Sequence, residues 1–201
     1  MNSIFHRDKP PKVFLDTTVI CGAIRKDGIN RNLLKLARMT DLYHLVLSKV
    51  CLFEFVRNAI NGIGRGSKEI KYEIWEIEKF MFDFIYPILE IYEKLPVNSV
   101  VGRYSMETRR RENQPIGKVL SELTGLNHEK AKRLAINQTS EMKIPLNYYD
   151  QEDFHVWAAA IQQNCQYIIT TNTRRFPSQI GKIKCMHPAV FYQYIEEYLN
   201  Y

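Results

Sequence analysis

Cysteine is scarce in this chain and scattered: Cys21, Cys51, Cys165 and Cys185 show no paired spacing. That excludes the paired-cysteine zinc patterns and favours buried, reduced thiols in a cytoplasmic protein, with two disulfides as the alternative. No apolar run approaches the roughly 18 residues of a membrane span, and the polar stretch Met1 to Pro11 is unlike a secretory signal. A soluble, cytoplasmic protein with no membrane contact is therefore expected. Internal repeats and low-complexity tracts are also lacking. His6, His44 and His128 have no partners at ligand spacing, and His155, two residues past Asp153, reads as an ordinary core or surface histidine. Gly62, Gly64 and Gly66 alternate, but no Lys-Ser/Thr pair follows them, so they form no phosphate loop.

What is present is ordinary globular material. The 201 residues are 45% hydrophobic and 25% charged, which excludes wholesale disorder and is enough to bury a sizeable core. The length suits one domain, residues 1–201, carrying an insertion. The formal charge of +6 is unevenly spread: Gly102 to Lys143 holds nine basic residues against five acidic ones. A second basic group (Arg25, Lys26, Arg31, Lys35, Arg38) faces only Asp27. Clustered cations attract polyanions, although a solvated surface explains them equally well.

Along the chain, a buried strand over Lys12 to Asp16 leads into an apolar helix through Ile24. Asn30 can cap a helix to Arg38, and Tyr43 to Leu47 is β-rich. Ser48 is a good N-cap for a helix from Lys49 to Ile60, ended near Gly62. Strand, helix, strand, helix implies a parallel sheet with crossover helices. The middle breaks that rhythm: Lys68 to Ile85 is amphipathic up to Pro87, and further helices fit Pro115 to Leu123 and Asn127 to Gln138. The rhythm then resumes with a helix capped by Asp150, a strand from Gln166 to Thr170, another from Lys182 to Met186, and a terminal helix with Pro188 in its first turn. The expected fold is a three-layer α/β/α sandwich around a central parallel sheet, with residues 63–144 inserted as a helical segment.

Three acids occupy unusual places in this scheme. Asp16 ends the first strand, Glu54 lies among apolar neighbours in the helix after the second, and Asp153 lies in the first turn of the Asp150 helix. Parallel sheets gather ligand sites at the carboxyl ends of their strands and the helix starts beside them. Three carboxylates gathered there would repel one another unless a cation bound them, and hard oxygen donors suit Mg²⁺ or Mn²⁺. Each acid also has a structural reading. Asp153 can simply complement a helix N-terminus, and Glu54 can reach to solvent as exposed glutamates do. Asp16 is harder to explain that way, because Asp is a poor strand residue.

The run Phe14-Leu15-Asp16-Thr17-Thr18-Val19-Ile20 resembles the opening of PIN domains, and Leu47-Ser48 followed by Glu54 resembles their second motif. The stretch DQEDFHVWAAAI at 150–161, followed by YIITTNTRRFP at 167–177, is the most specific match, and His187-Pro188 also fits. The resemblance covers roughly residues 12 to 62 and 145 to 200. It implies a metal-dependent endoribonuclease, often the toxin of a toxin–antitoxin pair of the VapC type. It implies that Asp16, Glu54 and Asp153 are the catalytic, Mg²⁺-holding residues, with Thr17 and Thr170 orienting carboxylates or waters. Asn172 falls where many members carry a further Asp, a loss for which Asp150 or Glu152 can compensate. Arg174 and Arg175 are either phosphate-binding or ordinary surface arginines. The implied partners are RNA, an antitoxin protein and a second copy of the chain. The alternative is a catalytically weak or inactive PIN-like module that binds nucleic acid or protein.

Overall fold

The computed structural model describes residues 9–64, 66–88, 153–174, 176, 178–180 and 182–199. Strand β1 (Lys12–Leu15) is the hydrophobic centre: Val13, Phe14 and Leu15 are all fully buried. β1 pairs in parallel with β2 (His44–Val46) on one side and with β3 (Tyr167–Ile169) on the other. β3 pairs in parallel with β5 (Ile183–Met186). The two-residue strand β4 (Gln179–Ile180) folds back antiparallel on β5, so the order is β2-β1-β3-β5-β4. The expected parallel sheet is thus four strands with an antiparallel edge that the sequence reading missed. A two-residue strand carries too little pattern to be seen, and its shortness blunts an open edge.

Alternate residues of the strands feed two cores, as a pleated sheet covered on both faces requires. Val13, Leu15, Leu45, Tyr167 and Ile169 join one cluster with helices α1 (Thr17–Arg25), α2 (Ile29–Met39), α3 (Lys49–Asn61), α4 (Ile74–Phe80) and α6 (Pro188–Leu199). Phe14 and Ile168 join a second cluster with Val156, Trp157, Ala159 and Ala160 of α5 (Phe154–Gln162). The architecture is α/β and compatible with three layers. Among the described residues, no helix is long and apolar enough to cross a membrane.

Most sequence-level boundaries hold to within a few residues, and local chemistry explains the ends. Ser48 caps α3, its Oγ accepting from the Cys51 amide at 3.1 Å, and Gly62 closes the helix at φ +129°, a conformation that side chains avoid. Replacing Ser48 by Ala should cost about 1 kcal/mol and lower Tm by about 2–4 °C, measured by calorimetry against wild type. Asn30 is not the cap of α2. Gly28 takes that place, and the Asn30 amide instead packs so tightly on Gly22 that a Cβ there would collide with it. After a 3-10 turn at Gly66–Lys68 the amphipathic segment becomes α-helical only from Ile74, because Ile70 is drawn into an antiparallel bridge with Ile63. Glu73 and Glu76 then form a capping box, and the helix widens into a π-turn at Met81–Ile85. Ile77, Met81 and Ile85 still share one buried face.

The second basic group is largely spent on the fold. Arg31 donates to the Ala23 and Ile24 carbonyls (2.8 and 2.9 Å), satisfying the C-terminal end of α1. Arg25 donates to the Lys68 carbonyl, Arg38 to that of Asp83, and Lys35 pairs with Asp27. The expected helices at 115–123 and 127–138 and the basic segment from Gly102 to Lys143 lie outside the described residues, as do Asp150, Glu152 and Arg175.

Candidate functional site

The sheet order places β2 and β3 on opposite sides of β1, so the strand order reverses at β1. In parallel α/β sheets that reversal opens a crevice beyond the carboxyl ends of the diverging strands. Asp16 follows β1 and Thr170 follows β3, side by side at this edge: the Asp16 amide donates to the Ile169 carbonyl at 3.0 Å.

Asp16 is the N-cap of α1, yet its carboxylate makes no capping bond. Oδ2 accepts two hydroxyls instead, from Thr18 at 2.6 Å and from Thr170 at 2.7 Å. Each hydroxyl in turn accepts a backbone amide: Thr18 Oγ1 from Thr171 (3.1 Å) and Thr170 Oγ1 from Asn172 (2.9 Å). The amides fix the hydroxyl protons toward the carboxylate. Asp16 is 3% exposed and Thr170 fully buried, so these bonds form where they are strongest.

Glu54 is also buried, which rules out the solvent-seeking alternative. Helix α3 buries Val50 through Val56 without a break, leaving no polar face for Glu54 to use. Its Oε2 accepts the Thr17 hydroxyl at 2.7 Å, so the chain neighbour of Asp16 holds the second acid. Thr17→Val would leave a buried carboxylate short of a donor. The expected loss is about 1–3 kcal/mol in urea denaturation, with Thr17→Ser keeping most of the stability.

Asp153 directly precedes α5 with helical backbone angles and makes no side-chain capping bond; the expected cap, Asp150, lies outside the described residues. Its Oδ2 accepts from the Asn172 side-chain amide at 3.2 Å. Asn172 therefore joins the acids: its side chain holds Asp153, and its backbone amide holds the Thr170 hydroxyl that holds Asp16. Arg174, just beyond this turn, is exposed. Among the described residues, no three His, Cys, Asp or Glu side chains gather closely enough to hold a metal ion by themselves. The geometry is two buried acids, Asp16 and Glu54, the second held by the hydroxyl of the residue next to the first, with Asp153 connected to Asp16 through Asn172 and Thr170. Two buried carboxylates with hydroxyl neighbours still fit a hard divalent cation in donor chemistry.

Two buried thiols lie close enough to these acids to feel them. Burial pushes Cys21 up to about 12, offset in part by a hydrogen bond from Asn58 and pushed further by Asp16 and Glu54. Cys51 is also raised, by burial first and then by the same two carboxylates. All four cysteines are free, and Cys21, Cys51 and Cys165 are buried, as expected for inert core thiols. Cys165 likewise rises to about 12 through burial. A raised folded-state value favours the unfolded chain once its own thiols ionise. Stability should therefore fall as pH climbs from about 9 toward 12, read as a declining urea midpoint.

Thr18 stands in the Phe14-to-Ile20 run without a role of its own there, and only the meeting of β1 with the loop after β3 gives its hydroxyl two partners. No family model, no curated protein and no solved structure matches this chain.

Proposed function

We propose that this protein is a Mg²⁺- or Mn²⁺-dependent endoribonuclease with a PIN-like, three-layer α/β/α fold. The observation that carries the reading is the Asp16 carboxylate, buried at the carboxyl edge of the sheet and gripped by two hydroxyls, with buried Glu54 held by the hydroxyl of the next residue, Thr17. Burying carboxylates costs several kcal/mol each unless they are well compensated, and such an expense at a ligand-binding edge is typical of functional sites. The motif resemblance over residues 12 to 62 and 145 to 200 supports the same assignment.

In this reading Asp16 and Glu54 hold the ion, and Asp153 acts from its Asn172 tether, either reaching the ion or taking a proton from water. A divalent ion, when bound, supplies neutralisation of phosphodiester charge and a more acidic water. Thr17 and Thr170 orient the two buried carboxylates, and Arg174, which is exposed, serves in this reading to meet a flanking phosphate. RNA is the substrate class; a second copy of the chain and an antitoxin protein are the partners that go with it.

The test is incubation of the purified full chain with single-stranded and structured RNA in Mg²⁺, Mn²⁺ or EDTA. Cleavage in the metals and none in EDTA supports the reading; cleavage that survives EDTA refutes it. A second reading, a nucleic-acid-binding module without catalysis, draws on Asn172, which brings an uncharged amide to the third acid. It predicts RNA retention without cleavage in the same samples.

A further inference from the structure

We infer that Thr18 is a positioning residue that sets the orientation of the Asp16 carboxylate toward a divalent cation. The inference rests on the proposed metal-dependent reading and extends it to a residue which that reading did not use. Thr18 Oγ1 sits at a junction: it donates to Asp16 Oδ2 at 2.6 Å, accepts from the Thr171 amide at 3.1 Å and lies 3.5 Å from Thr170 Oγ1. It thus ties the carboxylate to the loop after β3, which also carries Asn172 and through it Asp153. Two hydroxyls converge on one oxygen. A single donor lets a carboxylate pivot about that bond, whereas two donors from different strand ends fix its plane. Groups that orient a metal-holding carboxylate characteristically change affinity or activity 10–100-fold when removed.

Thr18 separates this role from a merely structural one better than Thr170 does. Thr170 is fully buried, so its replacement perturbs packing as well. Thr18 is half-buried and Asp16 keeps the Thr170 hydroxyl when Thr18 is changed, so the loss of its hydroxyl should cost about 1–3 kcal/mol, read as a lowered metal-free Tm, without unfolding the chain. The experiment compares wild type, Thr18→Val and Thr18→Ser in the full chain. It reads kcat and KM for RNA cleavage, and separately the Mn²⁺ concentration that half-saturates the rise in melting temperature. Thr18→Val should weaken the Mn²⁺ midpoint or lower kcat about 10–100-fold, with KM for RNA little changed. Thr18→Ser, which keeps the hydroxyl, should stay within a few-fold of wild type. A Val variant matching wild type in both readouts overturns the inference while the metal-dependent reading stands. A Ser variant as poor as Val overturns it too, because the hydroxyl would then not be the active feature. A wild-type chain with neither Mn²⁺-induced stabilisation nor cleavage brings down the reading and the inference together.

Discussion

Asp16→Asn should cut metal-dependent cleavage about 10²–10³-fold while leaving the free protein as stable as before, or more so. The substitution keeps the shape of the side chain. Thr18 and Thr170 hydroxyls, their protons directed by the Thr171 and Asn172 amides, can still donate to the remaining oxygen. What disappears is a buried negative charge. In the absence of ions that removal relieves desolvation and repulsion from Glu54, so the urea midpoint should hold or rise. With Mg²⁺ present the sign reverses for activity. Loss of one electrostatic group at a reacting centre typically costs about 10²–10³-fold in kcat. The metal-induced stabilisation should shrink in parallel. Wild type at 100-fold above its Kd gains about 2.7 kcal/mol, or about 5–10 °C in Tm for a chain of this size. The variant should show little of it. Equal cleavage by Asp16→Asn and wild type would remove Asp16 from the site. A variant that is merely unfolded would show itself by a lowered midpoint without metal, so the two failures are distinguishable.

This division between stability and activity also explains which parts of the site could be read from the residues. Asp16 is legible because an acid at the end of Val13-Phe14-Leu15 breaks a hydrophobic run at a predictable edge. Glu54 is legible as an acid in an apolar helix, although its burial follows only from α3 being covered on all sides. The helix and strand order around them follows from Ser48, Gly62 and the β-rich runs, which act locally. The joints are different. The bond from Thr170 to Asp16 spans 154 positions of sequence, and that from Asn172 to Asp153 reverses the expected meaning of the amide. Asn172 looked like a lost acid; in place it is the donor that holds one. Thr18 stands in the Phe14-to-Ile20 run but has no role legible there, because hydroxyls after a strand are common and their partners are set by strand adjacency. The use of Arg31 to close α1 was hidden for the same reason: its guanidinium looked like part of a polyanion-attracting patch until α1 and α2 were set side by side.

Trp157→Ala should be the most destabilising single change on the α5 face. Trp157 is fully buried, the largest side chain of the smaller core, and its ring meets Phe176 edge-on with centroids 6.0 Å apart. Its neighbours on α5 are Val156, Ala159 and Ala160, small side chains that bring the helix close to Phe14 and Ile168 but cannot expand into a vacated volume. Replacing a buried aromatic by alanine costs about 3–5 kcal/mol, a large share of the 5–15 kcal/mol typical of whole proteins. The corresponding fall in Tm is about 6–20 °C, measured by circular dichroism during heating. The consequence reaches the site because Trp157 lies one turn along α5 from Asp153, on the same side of the helix. An anchor lost there lets the Asp153 end drift from Asn172, so cleavage by the still-folded fraction at low temperature should also fall. Trp157→Phe, which keeps an aromatic ring against Phe176, should lose less of both. If Trp157→Ala kept full activity per folded molecule, the placement of Asp153 would not depend on the α5 core, and its tether to Asn172 would have to suffice alone.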